Sequence, residues 1–240
     1  MGHVLTLALD TSSPSGSLAV LREEEVIGSV SSSTGEIYSS RMFRQLDFLL
    51  RELSLDLGQF DLFAVATGPG SFTGLRVGLA AAKGWSEVYH KPVAAIGALE
   101  AVAAQSHSQS QYVVPVLDAH RGQIYFGVYR RTHVSNVQRD LALEGDECVM
   151  TAREFFASLR ERALDHFSIA TPTRALLADA ASRNETPLHI EQVSAILAPH
   201  VGRLGYQRAR RGELVDSLRL DANYVRRSDA ELHWKAPKDA

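Results

Sequence analysis

The chain is poor in cysteine and has no long apolar run. Cys148 is the single cysteine among 240 residues, so an intrachain disulfide and a thiolate metal cluster are both excluded. The apolar segments fall short of the roughly 18 residues that a membrane-spanning helix needs. The N-terminal sequence MGHVLTLALD lacks the basic region of a signal peptide. These absences predict a reducing, cytoplasmic location and no membrane partner.

Positive charge is also scarce for a nucleic-acid-binding protein. Lysine and arginine total 25 against 28 aspartate and glutamate residues, which gives a formal net charge of −3. A dedicated nucleic-acid binder carries a basic surface that matches the phosphate charge. We interpret the arginine clusters at 208–211 and 226–227 as solvated patches rather than an RNA site. With 45% hydrophobic residues, the chain suits one large globular domain or two small lobes.

The most informative stretch is VATGPGSFTGLRVGLAAAKG at 65–84. An apolar run at 62–66 predicts a strand, the Gly68-Pro69-Gly70 turn follows, and the alanine-rich sequence predicts a helix over 74–89. A strand, a glycine turn and a helix in this order aim backbone N–H groups at a phosphate or at a close-packed neighbour. The stretch lacks the Walker A lysine and the third glycine of the dinucleotide motif. It therefore indicates an α/β domain without naming a ligand.

The predicted helix over 74–89 has a face with almost no side chains. Gly74, Gly78 and Ala82 recur every four residues, and Ala81 and Trp85 flank them. Small residues at this spacing allow another backbone to approach closely. Two interpretations stay open. The helix packs tightly on its own sheet, or the face meets a helix of another chain.

A second amphipathic helix is predicted over 39–53. Phe48 falls on its polar face, where it is either a lone exposed aromatic or part of an intermolecular surface. The apolar stripe consists of Met42, Leu46, Leu49 and Leu53, widened by Phe43 and Leu50.

A strand, an acidic turn and a second strand occur twice, around Asp10 and around Asp118. Such a duplication predicts two lobes with one topology. The polar sequence QSHSQSQ, which starts at position 105, is the predicted boundary between the lobes. We assign 1–104 plus about 192–240 to the first lobe and 105–191 to a second, degenerate lobe.

Three local predictions concern the second half of the chain. Alternating residues predict a strand over 123–129. Thr151 starts a capping box that predicts the beginning of a helix. A long helix is predicted over 193–211, broken or kinked at Pro199.

Six segments, in order and spacing, resemble the TsaB family, formerly called YeaZ. They are LALDTSS at 7–13, GPGSFTGLRVG at 68–78, AAKG at 81–84, PVAAIGALEAVA at 92–103, PVLDAHRGQIY at 115–125 and ANYVR at 222–226. The resemblance covers nearly the whole chain, although residues 131–217 would not identify the family alone. It implies an actin-like, Hsp70-like and sugar-kinase-like (ASKHA, RNase H-like) α/β fold with two lobes, mixed sheets and flanking helices.

The same resemblance implies a function. TsaB proteins are understood as non-catalytic scaffolds for a TsaD-type catalytic subunit, and they work with a TsaE-type ATPase. Together these proteins attach a threonylcarbamoyl group to adenosine 37 of tRNA (t6A synthesis), so the scaffold meets tRNA indirectly. The two helices over 39–53 and 74–89 then form the interface with TsaD, or with a second copy as a homodimer when the chain is alone. The implied interface residues are Phe43, Phe48, Gly74, Gly78, Ala81, Ala82 and Trp85.

The resemblance also provides a test for catalysis. TsaD-type proteins carry a metal-binding His-x-x-x-His that reads HLEGH, whose spacing places two imidazoles on one helix face. Aligning Leu99-Glu100 with this motif puts Ala98 and Val102 at the two histidine positions. Neither side chain binds a metal, so we expect no catalytic residue and no metal site in this chain.

A nucleotide cleft in this fold needs one phosphate loop from each lobe. The second lobe offers no glycine-rich turn, since no glycine occurs from Asp146 to Val201. We therefore expect no required cofactor, and we interpret Asp10 as a turn residue that caps backbone N–H groups. The residues that remain candidates for a nucleotide at the partner junction are Asp10, Thr11, Ser12, Gly70 and Ser71.

Two other functions stay open at this point. One is a stand-alone ATPase or kinase of the same fold, and the other is a homodimeric binding protein. Asp118 and Arg121 either stabilise their own turn or contact a ligand in the cleft.

Overall fold

The computed structural model describes residues 3–33, 38–133, 139–162, 164, 166–181 and 188–226. Two mixed β-sheets form its framework. The first sheet contains β1 (Leu5–Asp10), β2 (Ser17–Arg22), β3 (Glu25–Ser31), β4 (Leu62–Gly68) and β5 (Val93–Gly97). The second contains β6 (Tyr112–His120), β7 (Gln123–Phe126), β8 (Tyr129–His133), β9 (Arg139–Leu143), β10 (Cys148–Thr151), β11 (Phe167–Thr171) and β12 (Ile190–Gln192).

Helices flank and connect the sheets. They are α1 (Tyr38–Leu53), α2 (Phe72–Tyr89), α3 (Ala98–Ala103), α4 (Ala152–Glu161), α5 (Ala178–Ala181) and α6 (Ala198–Arg211). Three short 3₁₀ helices add to these at Leu57–Gln59, Arg174–Leu177 and Ser217–Arg219. None of the helices in the described part of the chain has the length and apolarity to cross a bilayer.

The two sheets share one topology. The first has the order β3-β2-β1-β4-β5, with an antiparallel β1-β2-β3 meander and parallel β1, β4 and β5. The second repeats this as β10-β7-β6-β11-β12, with antiparallel β6, β7 and β10 and parallel β6, β11 and β12. The hairpin β8–β9 is an insertion that pairs with β6. The predicted α/β fold with two related lobes and mixed sheets is confirmed.

The first sheet is covered by helices on both faces. Because side chains alternate along a strand, Leu7 and Leu9 of β1 pack with α1 and α2, while Ala8 packs with α6. Small residues on both sides allow α6 to approach closely. A Cβ added to Gly205 of α6 would lie 2.6 Å from the Cβ of Ala64 in β4.

One hydrophobic cluster joins the two lobes. It contains α3 and α6 residues together with side chains from both sheets, such as Ala64 of β4 and Val113 of β6. A separate cluster packs α4 against the outer face of the second sheet, where Phe155 meets Phe126 edge-on at 4.9 Å between ring centroids. The shared cluster fixes the lobes against each other and leaves a cleft at the ends of β1 and β6.

Two predicted elements have the wrong bounds. The strand predicted over 123–129 is two strands, since β7 pairs with β6 and β10 while β8 starts a new hairpin with β9. The helix predicted over 193–211 begins only at Ala198. Pro199 lies in its first turn, where a missing N–H loses no helical hydrogen bond, so it starts the helix instead of kinking it.

The predicted cap at the start of α4 is confirmed. The Thr151 hydroxyl accepts a hydrogen bond from the Glu154 N–H at 3.3 Å, and the Glu154 carboxylate accepts one from the Thr151 N–H at 2.9 Å. The Thr151 hydroxyl also donates to this carboxylate, at 2.8 Å. The hydrogen bonds that the carboxylate accepts from the Thr151 N–H and hydroxyl favour its ionised form, so the pKa of Glu154 is lowered.

Candidate functional site

The glycine turn after β4 packs directly on the turn between β1 and β2. The Ser71 N–H donates to the Ser12 carbonyl oxygen at 2.7 Å. A Cβ on Gly70 would overlap that same carbonyl group. Gly70 is therefore required for the close approach of two backbone segments, and the Ser71 N–H is already used within the protein.

The small-residue face of α2 continues this packing. A Cβ on Gly74 would overlap the Thr11 carbonyl oxygen, and one on Gly78 would overlap the Thr11 side chain. Ala82 is fully buried. The expectation that Gly74, Gly78 and Ala82 contact a partner is wrong for this chain, because the β1–β2 turn and the hydrophobic core already cover them.

The other implied interface residues differ in exposure. Phe43 and Phe48 of α1 are 55% and 56% exposed. Ala81 and Trp85 of α2 are only partly buried and pack against the core of the first lobe. The Trp85 ring lies 5.7 Å from that of Phe63, so much of it faces the sheet.

An exposed strip on α2 lies opposite its buried face. Thr73, Ala80 and Gly84 are exposed, and Val88 is 69% exposed. Nothing lies within 4 Å of a Cβ placed on Gly84. Thr73 and Ala80 are about two helical turns apart, and Ala80, Gly84 and Val88 follow one another at about one turn. All four therefore lie on one face of α2. On the neighbouring helix, Phe43 and Phe48 are exposed on opposite flanks of the buried stripe of α1. We call the exposed side chains of these two helices the α1–α2 face.

The exposed strip was not predicted from the sequence, although the spacing of the apolar residues indicates it. Leu75 and Leu79 mark the buried side of α2, and the strip lies about 180° away from them. Its small residues were overlooked because Gly74, Gly78 and Ala82 form the more regular repeat.

A cleft of about 820 Å³ separates the ends of β1 and β6. Of the residues proposed for a nucleotide, Thr11, Ser12, Gly70 and Ser71 line its first wall, and Asp10 does not reach it. The opposite wall carries the β6–β7 turn. Polar residues from that turn and from the C-terminal segment that line the cleft are Asp118, His120, Arg121, Asn223, Tyr224 and Arg226.

Asp10 is buried behind the cleft and holds its own turn. Its Oδ1 accepts hydrogen bonds from the Ser12 N–H at 2.9 Å and from the Ser12 hydroxyl at 2.6 Å. Burial raises the pKa of Asp10, and the two hydrogen bonds from Ser12 oppose that shift without reversing it. The interpretation of Asp10 as a capping turn residue agrees with these contacts.

The Ser71 side chain is also used within the first wall. The Ser71 hydroxyl accepts a hydrogen bond from the Gly74 N–H at 3.2 Å and caps α2. On the second wall, the Asp118 carboxylate accepts from the His120 N–H at 2.7 Å. The Ser71 hydroxyl and the Asp118 carboxylate are therefore both engaged by backbone groups close to them in the chain.

The positions aligned with the metal-binding histidines lie in the core. Ala98 and Val102 are fully buried in α3. Among the described residues, no group of three or more His, Cys, Asp or Glu side chains could hold a metal ion.

A C-terminal segment, residues 213–226, joins the lobes beside the cleft. The Asn223 N–H donates to the Thr67 carbonyl oxygen at 2.8 Å, and its side chain donates to the Glu147 carboxylate at 2.6 Å. The Arg226 guanidinium donates to the Ala119 carbonyl oxygen at 2.8 Å. Burial raises the pKa of Glu147. No local sequence pattern points to these contacts, since each joins residues far apart in the chain.

Comparison with known proteins finds a matching family model and related sequences. A family model described as TsaD, tRNA N6-adenosine threonylcarbamoyltransferase, matches residues 25–172. The tRNA threonylcarbamoyladenosine biosynthesis protein TsaB of Bacillus subtilis (strain 168) is 34% identical over 124 residues, 52% of this chain and 54% of the relative. The protein of the same name from Haemophilus influenzae is 34% identical over 136 residues, 56% of this chain and 57% of the relative. The chain thus spans about half the length of the curated relatives that it matches.

Solved structures share the fold over nearly the whole chain. YeaZ from Pseudomonas aeruginosa has a TM-score of 0.71 at 23% identity and covers 92% of this chain and 99% of its own. A Pseudomonas aeruginosa protein with similarity to peptidase YeaZ has a TM-score of 0.73 at 24% identity, covering 93% and 100%. Since the family model matches well over half of the chain, the chain belongs to the TsaD family, and within it to the TsaB/YeaZ proteins.

Proposed function

We propose that this chain is a non-catalytic scaffold subunit in the biosynthesis of threonylcarbamoyladenosine in tRNA, and that it docks a TsaD-type catalytic subunit. The relatives named above are biosynthesis proteins of this modification. The observation that carries the docking role is the α1–α2 face, where Phe43 and Phe48 are more than half exposed. A folded domain rarely leaves several large apolar side chains exposed on adjoining helices unless a partner covers them.

The α1–α2 face has the composition of a helix-docking surface. Burying the exposed part of a phenylalanine contributes about 2 kcal/mol, and aromatic anchors dominate many interfaces. Between the anchors, Ala80 and Gly84 are small and exposed. Their lack of bulk allows the axis of a partner helix to come close, since the distance between packed helices depends on the side chains at the contact.

The scaffold role is supported by what the cleft residues do. The Ser71 N–H bonds to the Ser12 carbonyl oxygen, and the Ser71 hydroxyl caps α2. Behind the cleft, Asp10 accepts hydrogen bonds from Ser12, so these groups hold the two turns. Ala98 and Val102 fill the core where a TsaD-type protein has two histidines. We therefore assign the chemistry to the partner and no catalytic residue to this chain.

The remaining assignments belong to the same proposal. We assign a homodimer to the isolated chain, a TsaE-type ATPase to the complex, and tRNA contact to the partner, because this chain has a net charge of −3. Since α6 packs on the first sheet, the first lobe takes residues 1–104 and about 192–240, and the second takes 105–191.

Size-exclusion chromatography with light scattering tests the docking role. The chain is mixed with the TsaD-type protein of the same organism, and a one-to-one complex is expected to replace any homodimer. Gly84→Arg should abolish that complex, because a long charged side chain then fills the strip while no contact within the chain is lost. Gln109→Arg, an equal charge change at an exposed position in the second lobe, is the control and should assemble as the wild type does.

Two outcomes would contradict the proposal. If the wild-type chain gives no complex, with or without nucleotide, the docking proposal fails. If Gly84→Arg assembles normally, the α1–α2 face is not the docking surface.

A further inference from the structure

The C-terminal segment runs along one side of α2. The Ser217 hydroxyl bonds to the Glu87 carboxylate near the end of the helix. Near its start, the Arg76 guanidinium donates to the Tyr224 hydroxyl at 3.3 Å, and the Tyr224 ring lies 5.1 Å from that of Phe72. At about 100° per residue, the three α2 residues in these contacts fall within about 60° of one another on the helix. The segment therefore follows a single flank of α2.

The other flank of α2 faces α1. Val77 and Ala81 are partly buried against the core cluster to which α1 contributes Met42, Leu46 and Leu49, and the two helices are in direct contact. The exposed strip with Ala80 and Gly84 therefore lies between α1 on one side and the C-terminal segment on the other. The α1–α2 face is the floor and one wall of a groove, and the segment is the second wall.

Leu218 on this second wall is the most exposed large apolar side chain that the structure describes, at 81%. The backbone at Leu218 is held in place by contacts on both sides of this residue. Its N–H donates to the Asp216 carboxylate at 3.0 Å, which caps the short helix Ser217–Arg219. Leu220 is buried at 1% exposure and anchors the segment in the core. Because the backbone at Leu218 is already fixed, only side-chain conformational entropy is lost when a partner covers this residue.

We propose that the C-terminal segment is the third element of the docking surface and that Leu218 is an anchor that the TsaD-type subunit covers. The inference rests on the docking function proposed above. The occupant follows from the family match, which includes α1 and α2. A partner with the same fold carries equivalents of these helices, and they can cross the open strip at Gly84 in an arrangement related by a pseudo-twofold axis. A helix seated there would have α1 on one side and Leu218 on the other.

Titration calorimetry with the TsaD-type protein tests the role of Leu218. Leu218→Ser is expected to raise the Kd about tenfold or more, as the loss of an interface anchor does. Leu214→Ser, four residues earlier on the same segment and 36% exposed, is the matched control and should stay within about twofold. The thermal midpoint of Leu218→Ser should equal that of the wild type, because the side chain has few contacts to lose.

The outcomes separate this inference from the docking function. If Leu218→Ser binds like the wild type while Gly84→Arg does not bind, the third element is refuted and the helical docking surface stands. If neither variant changes binding, both surface assignments are wrong and the partner docks elsewhere. If the wild type does not bind, the docking function itself is wrong. If Leu218→Ser weakens only the homodimer in light scattering, the occupant is a second copy of this chain, and the assignment to the TsaD-type subunit is overturned.

Discussion

Both lobes place a hairpin turn at the cleft, but the two turns differ in how far they are buried. The β1–β2 turn is buried, with Asp10 at 0% and Thr11 at 1% exposure. Its counterpart between β6 and β7 is exposed at His120 and Arg121. The difference arises from the helix after the next parallel strand of each lobe. After β4 comes the long helix α2, whose glycines allow the β1–β2 turn to pack against it. After β11 come a 3₁₀ helix and the short helix α5.

This contrast supports the docking role that we propose for α2. Its inner face is locked onto the β1–β2 turn through Gly74 and Gly78, so the helix is held in one position. Its outer strip is then presented as a rigid surface. The likeness of the two turns in sequence therefore reflects a duplicated fold, and substitutions in the two regions should have unequal effects on stability.

The largest effect is expected from filling the contact between α2 and the first turn. Gly74→Val places a branched side chain against the Thr11 backbone, which cannot move aside. We expect a loss of about 3 kcal/mol in the free energy of unfolding, measured by urea denaturation. Gly84→Val makes the same substitution on the exposed side of α2 and should not destabilise the chain. Equal losses in the two variants would mean that helix propensity, and not the packing of the turn, governs this position.

The next effect compares the aspartates of the two turns. Asp10→Ala removes the acceptor of both Ser12 hydrogen bonds in a buried site, and we expect a loss of about 2 kcal/mol. Asp118→Ala removes one acceptor at an exposed site and should cost about 0.5 kcal/mol. Thermal unfolding of the two variants beside the wild type provides the comparison. Similar losses would contradict a structural role that is confined to the first turn.

The fold was more predictable than the site for a physical reason. The repeated strand and acidic turn at Asp10 and Asp118 is a local pattern, and it correctly predicted two sheets with one topology. The stripe at Gly74 and Gly78 showed that some backbone approaches α2 closely, but periodicity does not say whether that backbone belongs to the same chain. The contacts of Asn223 were beyond prediction, because a hydrogen bond to Thr67 leaves no trace in the sequence between them.

A smaller effect should appear in the pH dependence of stability. Burial raises the pKa of Asp10 in the folded state, so the folded chain keeps this proton to a higher pH than the unfolded chain, whose aspartates titrate near about 3.9. The stability that this proton contributes is complete below the unfolded pKa and is lost as the pH rises through the folded one. Asp10→Asn removes the titration. Denaturant unfolding at a series of pH values should show the wild type losing stability relative to Asp10→Asn as the pH rises above about 4, and a constant difference would refute the assignment.

The smallest effect concerns the exposed strip of α2, where one substitution should change stability and binding in opposite directions. Gly84→Ala adds a methyl group in open space on the exposed strip, and replacing a helical glycine by alanine stabilises a helix by about 0.5–1 kcal/mol. The free energy of unfolding should therefore rise, as measured in urea. If a partner helix crosses closest at Gly84, the same methyl group should weaken complex formation in calorimetry, because it sets the helices apart. A variant that gains stability and keeps its full affinity would place the closest crossing elsewhere on the strip, nearer to Ala80 or Thr73.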